Sequence, residues 1–164
     1  MLAKYKSLKG EEKGPLPTEE IAALGEEAAV YLATILPKLD TALQGPAAFA
    51  LATLKSPKAC LVLAEQTRHE NADVRLNAAQ ALGSMGDEEK TRYLRPLLRD
   101  PDPVVRRLVL NLVSSLEDRD WFDAVSDLCG DPVKEVRNPA LSMASRLAGK
   151  HDLKENFIRI LVGN

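Results

Sequence analysis

Aromatic side chains are scarce in this chain: three Phe, three Tyr and one Trp make up 4% of it. That argues against strand-rich folds, which draw on aromatic and β-branched residues, and leaves no row of rings on which nucleic-acid bases could stack. Cysteine is equally sparse. Cys60 and Cys129 stand alone, with no Cys-x-x-Cys and no Cys/His ligand spacing. They fit two buried thiols in a reducing compartment better than a disulfide framework or a zinc site. His69 and His151 are the only histidines, and neither falls in a HExxH, nucleophile-elbow or Cys–His signature. No glycine-rich phosphate loop is present. The formal charge of −2 gives no basic field to draw the chain to nucleic acid or anionic lipid. No apolar run approaches the length of a membrane span, and the N-terminus has no apolar stretch of the signal-peptide kind. The expectation is a soluble, cytoplasmic, non-enzymatic protein without a metal or other cofactor.

What is present is a period. Val74-Arg75, Val105-Arg106 and Val136-Arg137 recur at a constant step of 31 residues. Ala47, Ala78, Val109 and Ala140 keep that step, as do Leu51, Leu82, Val113 and Ala144, and Leu32, Leu63, Leu94 and Val125. Self-similarity at such a period means an array of one supersecondary unit rather than a single closed core. Alanine and leucine dominate the rows, which favours helices.

Helix starts are marked in phase. Ser56, Asp87 and Asp118 are again 31 apart and can cap free amides, and Pro57 takes the first helical position. Asn71, Asp102-Pro103 and Asp131-Pro132 open the partner helices, while Gly83, Gly86, Gly130 and Gly149 fit helix ends. The pattern predicts helix pairs at about 18–36 and 41–54, 57–68 and 72–84, 87–98 and 103–116, and 119–129 and 133–148. A further helix follows at about 151–162. Short connections make consecutive helices antiparallel. The expected architecture is an all-α, right-handed α-solenoid of about four helix pairs plus a C-terminal helix over 18–164, preceded by a flexible basic leader at 1–17. Pro46 and Pro139 share one repeat position and should delay or kink their helices, with Gly45 and Asn138 as local caps.

The turn Asp100-Pro101-Asp102-Pro103-Val104-Val105-Arg106, with its counterparts at Asp131–Arg137 and Asn71–Arg75, resembles the second-helix start of a HEAT repeat. The short period is similar to the HEAT-like repeats first named from phycobilisome lyases. The resemblance covers about 40–148 and implies a binding scaffold. It also implies a structural ladder between adjacent repeats, with Asp100 and Asp131 in the acid row and Arg75, Arg106 and Arg137 in the arginine row. His69 and Gln44 replace the ladder residues toward the N-terminus, where the ladder should be interrupted.

Several constellations have bland readings. Arg92, Arg95 and Arg99 lie opposite Leu94, Leu97 and Leu98 and should face solvent, with Glu88 supporting Arg92. The stretch 87–117 has six basic and six acidic residues, so it forms no basic patch. Asp118, Asp120, Asp123 and Asp127 lack calcium-loop spacing and suit a helix start. Trp121 should fill space near a repeat junction.

More informative is the inner, concave side expected of the second helices. Helical rotation places Gly45, Leu76, Arg107 and Asn138 there, then Phe49, Gln80, Asn111 and Ser142, then Ala52, Gly83, Ser114 and Ser145. Full charges are rare in these rows. Helices that only face water usually carry Lys and Glu, so this side suits a partner protein's extended segment or helix. Asn111 and Gln80 would supply hydrogen bonds, Arg107 a charge, and Phe49 and Leu76 apolar contact. Two alternatives remain: an accessory lyase or chaperone-like subunit that holds a protein substrate, and a nucleic-acid binder using the arginines and the leader. The apolar stripe Leu153, Phe157, Ile160 and Leu161 leaves association through the C-terminal helix open.

Overall fold

The computed structural model describes residues 25–86 and 92–163; the predicted leader at 1–17, the first helix start at 18 and the residues Asp87 and Glu88 lie outside them. The described residues form helices and no strand. We number the α-helices α1 (Gly25–Ile35), α2 (Thr41–Thr53), α3 (Pro57–Gln66), α4 (Ala72–Ser84), α5 (Pro103–Leu112), α6 (Asp120–Ser126), α7 (Lys134–Lys150) and α8 (Lys154–Val162). Short 3-10 helices follow α1 (η1, Leu36–Lys38) and α6 (η3, Asp127–Gly130), and a longer one, η2 (Arg92–Arg99), stands where the first helix of the third pair was expected. Pro96 lies within it and brings no N–H, so the backbone bond to the carbonyl of Arg92 is absent there.

The first helices (α1, α3, η2, α6) make one layer and the second helices (α2, α4, α5, α7) the other. Within the second layer α2 packs on α4, α4 on α5 and α5 on α7, while α8 rests on α7. This is an α-solenoid. The rows that defined the period are its core: Leu63, Leu94, Val125, Ala47, Val109, Ala140, Leu51, Leu82, Val113 and Ala144 are all 0% exposed, with Leu32 and Ala78 close behind. Each such Leu contributes about 1.5–3 kcal/mol by leaving water. Since each row takes one residue per pair, no pair buries its own apolar surface unaided.

The predicted capping residues do their work where they are described. Ser56 accepts from the amide of Ala59, Asn71 from Asp73 and Asp102 from Val104, each at its helix's N-cap, while Asp118 accepts from Asp120 one residue ahead of the cap position, Arg119. One expectation fails, the late helix starts at the prolines. Pro46 and Pro139 neither delay nor end their helices: each is the sixth residue of an uninterrupted helix led by Asp40 and Val133, so Gly45 and Asn138 are not caps. One backbone bond is lost at each proline, but burial of Ala47, Ala50 and Leu51 in α2, and of Val136 and Ala140 in α7, holds the helix across the gap. Gly83 falls in the last turn of its helix, as expected, and has a packing role besides. It lies inside α4, where a Cβ would come within 2.7 Å of the Leu112 side chain, so it lets α4 approach α5. Gly86, at φ +68° just past α4, does occupy the left-handed position that favours glycine.

Candidate partner-binding face

The arginine row holds adjacent repeats together. Arg75 grips Asp100 with two parallel bonds, Nε to Oδ2 at 2.7 Å and Nη2 to Oδ1 at 2.8 Å. Arg106 repeats this on Asp131 at 2.8 and 3.1 Å. In each case Nη1 also donates to two carbonyls of its own turn, those of His69 and Glu70 for Arg75, and of Asp100 and Pro101 for Arg106. The carboxylates serve twice as well: Oδ1 of Asp100 accepts from the amide of Asp102, and Oδ1 of Asp131 from that of Val133. The carboxylates are 3% and 4% exposed as side chains, so these are buried, planar, two-pronged ion pairs of the kind arginine suits. Burial pushes the Asp131 carboxyl up, but the bonds from Arg106 and the Val133 amide outweigh it and hold the group below its ordinary value. The Asp100 bond in turn keeps Arg75 firmly charged.

Toward the N-terminus the ladder keeps its local half and loses the rest. Nε2 of Gln44 donates to the carbonyl of Leu39, five residues back, as the arginines do, but its buried Oε1 meets no partner among the described residues. His69 accepts from the amide of Asn71 through Nδ1, reproducing the aspartate's turn bond without its charge. Arg137, the last rung, donates to the carbonyls of Asp131 and Pro132 through Nη1, and among the described residues its Nε and Nη2 hold nothing.

The predicted recognition residues lie on the second helices, at matching steps of the period. Phe49, Gln80, Asn111 and Ser142 are all exposed, one on each of α2, α4, α5 and α7, and Arg107 and Asn138 are exposed one turn earlier on α5 and α7. Leu76 is half-buried and packs on the core, so it has less apolar surface to offer than expected. The third row belongs mostly to the seam between helices, since Ala52 is buried and Gly83 faces Leu112; only Ser114 and Ser145 are exposed. The opposite layer differs in kind. Its exposed residues include Glu27, Lys38, Lys58, Glu65, Arg68, Arg92, Arg99, Asp120, Asp123 and Asp127. The second helices are not free of charge, since Asp73, Arg107, Lys134, Glu135, Arg146 and Lys150 are exposed on them, but the row Phe49, Gln80, Asn111 and Ser142 is uncharged.

On that charged side Arg95 departs from its expected place in solvent. Its guanidinium lies 5.0 Å from the centre of the buried Trp121 ring, a cation–π contact across η2 and α6. Arg99 pairs with Asp127 at 2.6 Å. The basic residues are thus interleaved with acids and an aromatic, which does not make a phosphate-tracking strip. A contact the period did not foretell closes the end of α5: Arg146 donates to the carbonyls of Ser114 and Leu116, and Lys150 pairs with Glu117. That pairing holds the Glu117 carboxyl below its usual value. Of the groups able to do chemistry, the Cys129 thiol is pushed up to about 11 by burial and stays neutral. Among the described residues no group of His, Cys, Asp and Glu could hold a metal ion, and no helix is long and apolar enough to cross a membrane.

The family model for HEAT repeats matches residues 28–112. Two solved structures share the fold. Human deoxyhypusine hydroxylase in complex with glycerol superposes with a TM-score of 0.63 at 23% identity, over 85% of this chain and 49% of that one. The complex of CpcE and CpcF of phycocyanin lyase from Nostoc sp. PCC7120 superposes with a TM-score of 0.55 at 23% identity, over 94% of this chain and 74% of that one. At these identities the likeness is one of fold, and the chain spans about half the length of the hydroxylase. No curated protein matches in sequence.

Proposed function

We propose, for a chain that belongs to the HEAT-repeat family, a scaffold without a reaction of its own that binds a segment of another protein along its stacked second helices. The observation that carries this reading is the row Phe49, Gln80, Asn111 and Ser142: four exposed, uncharged residues, one on each second helix, over a buried core. A solvated helix face gains nothing from avoiding charge. A face that meets polypeptide backbone does, because unpaired charges resist desolvation whereas amides and hydroxyls can pair with peptide groups. Arg107, exposed beside this row, adds one fixed charge to orient a bound segment.

Affinity capture with three immobilised proteins tests the reading: wild type, Asn111→Glu, and Arg99→Glu on the opposite layer. Asn111→Glu is at an exposed position and should alter stability by no more than about 0.5 kcal/mol, whereas Arg99→Glu also breaks the exposed ion pair with Asp127 and should cost up to about 1 kcal/mol. The expected result is a common captured protein on wild type and Arg99→Glu that Asn111→Glu loses. Equal capture by all three, or loss confined to Arg99→Glu, would refute the assignment of the face.

A further inference from the structure

A cleft of about 640 Å³ opens in the layer of first helices, between the end of α3, η2 and the start of α6. Arg68, Arg92 and Arg95 line it together with Asp118, Asp120 and Trp121. Arg95 is the unusual member. Its contact with the buried Trp121 ring, 5.0 Å away, offsets part of the positive charge but occupies none of the guanidinium's N–H donors. The side chain is half-buried, and its Nε is sealed from solvent without an acceptor. Arg75 and Arg106, the other arginines drawn inward, each spend that same Nε on a carboxylate. Arg95 has therefore lost water at one donor and gained no anion in return, so pairing with one is favourable.

We propose that this cleft binds a mixed-charge segment of another protein, with one Asp or Glu side chain seated on Arg95. Since Nε is sealed, the carboxylate would meet the Nη groups, whose planar spacing suits its two oxygens. Asp118 and Asp120, both exposed on the same lining, decide which anion fits. They repel a doubly charged phosphate about twice as strongly as a single carboxylate, and they offer partners to a Lys or Arg beside the acid. Three arginines against two aspartates still leave the lining net cationic, which makes the acid the anchor. The space is also larger than one carboxylate fills, so neighbouring residues of the segment enter with it. This cleft is separate from the polar row of the second helices, so either site can fail without the other.

The probes are two flexible synthetic peptides, three copies of Gly-Glu-Gly-Lys and three of Gly-Gln-Gly-Lys, with inorganic phosphate as a third ligand. Each is titrated into the full isotope-labelled chain while the Trp121 indole N–H is followed by NMR, a single signal because the chain has one Trp. The glutamate peptide is expected to shift that signal and to bind at least about fivefold more tightly than the glutamine peptide. In Arg95→Gln the two peptides should bind alike. Arg95→Lys keeps a cation beside the ring without the planar donor pair, and should lose at least about half of the discrimination. Asn111→Glu, on the second helices, should keep all of it. Equal binding of the two peptides to wild type, no indole shift with either, or undiminished discrimination in both Arg95 variants would overturn the inference. So would phosphate moving the signal at a lower concentration than the glutamate peptide, since the cleft would then be a phosphate site.

Discussion

Arg106 and Arg137 make the same bonds to their own turns and differ in one partner, so together they measure what a closed rung is worth. Arg106→Ala leaves Asp131 buried beside an empty space, and breaking such a pair costs about 3 kcal/mol. Arg137→Ala removes only bonds to carbonyls and should cost about 1 kcal/mol. Urea unfolding of both variants checks the contrast, and equal losses would mean that the inter-repeat carboxylate contributes nothing. The gap between wild type and Arg106→Ala should also depend on pH. Since Asp131 sits below its ordinary value of 3.8 when folded, its stabilisation is present above that pH and lost as the pH falls through the lower folded value. The two proteins should therefore converge on acidification below about pH 4. These pairs were legible in the sequence because one spacing fixed both partners. Arg95 on Trp121 and Arg146 on the end of α5 were not, because those contacts join residues that no repeat row aligns.

At the scale of the helix, Gly83 tests how closely α4 and α5 are packed. Replacing glycine with alanine inside a helix gains about 1 kcal/mol in propensity. Here the added methyl would press on Leu112, and overpacking costs about 2 kcal/mol, so Gly83→Ala is expected to destabilise by about 1 kcal/mol. In a Leu112→Ala background the pressure is gone and the same change should stabilise by about 1 kcal/mol. Identical effects in the two backgrounds, by urea titration, would show that the close approach does not constrain the helices. The prolines carry the complementary lesson. Local propensity alone places a helix boundary near Pro46 and Pro139, yet both helices continue. One missing hydrogen bond counts for less than the alanines and leucines that neighbouring helices bury on either side of it.

Across the whole molecule, stability in a linear stack comes from neighbours, and the ends have fewer of them. Helix α5 has packed repeats on both sides, whereas α8 touches only what precedes it and buries no residue. Amide hydrogen exchange should accordingly be at least about tenfold faster in α8 than in the middle of α5, and uniform protection would contradict a neighbour-by-neighbour stack. The step of 31 determined the helices, their pairing, the buried rows and the Asp–Arg rungs, because a residue that must recur to bury or brace each unit leaves a periodic mark. Tertiary structure alone decided what breaks that period: the unbroken proline helices, the glycine under Leu112, the arginine on its tryptophan and the unclosed rung at Arg137. Each of these depends on which atoms a second chain segment places nearby, and such a neighbour leaves no trace in the spacing of the first.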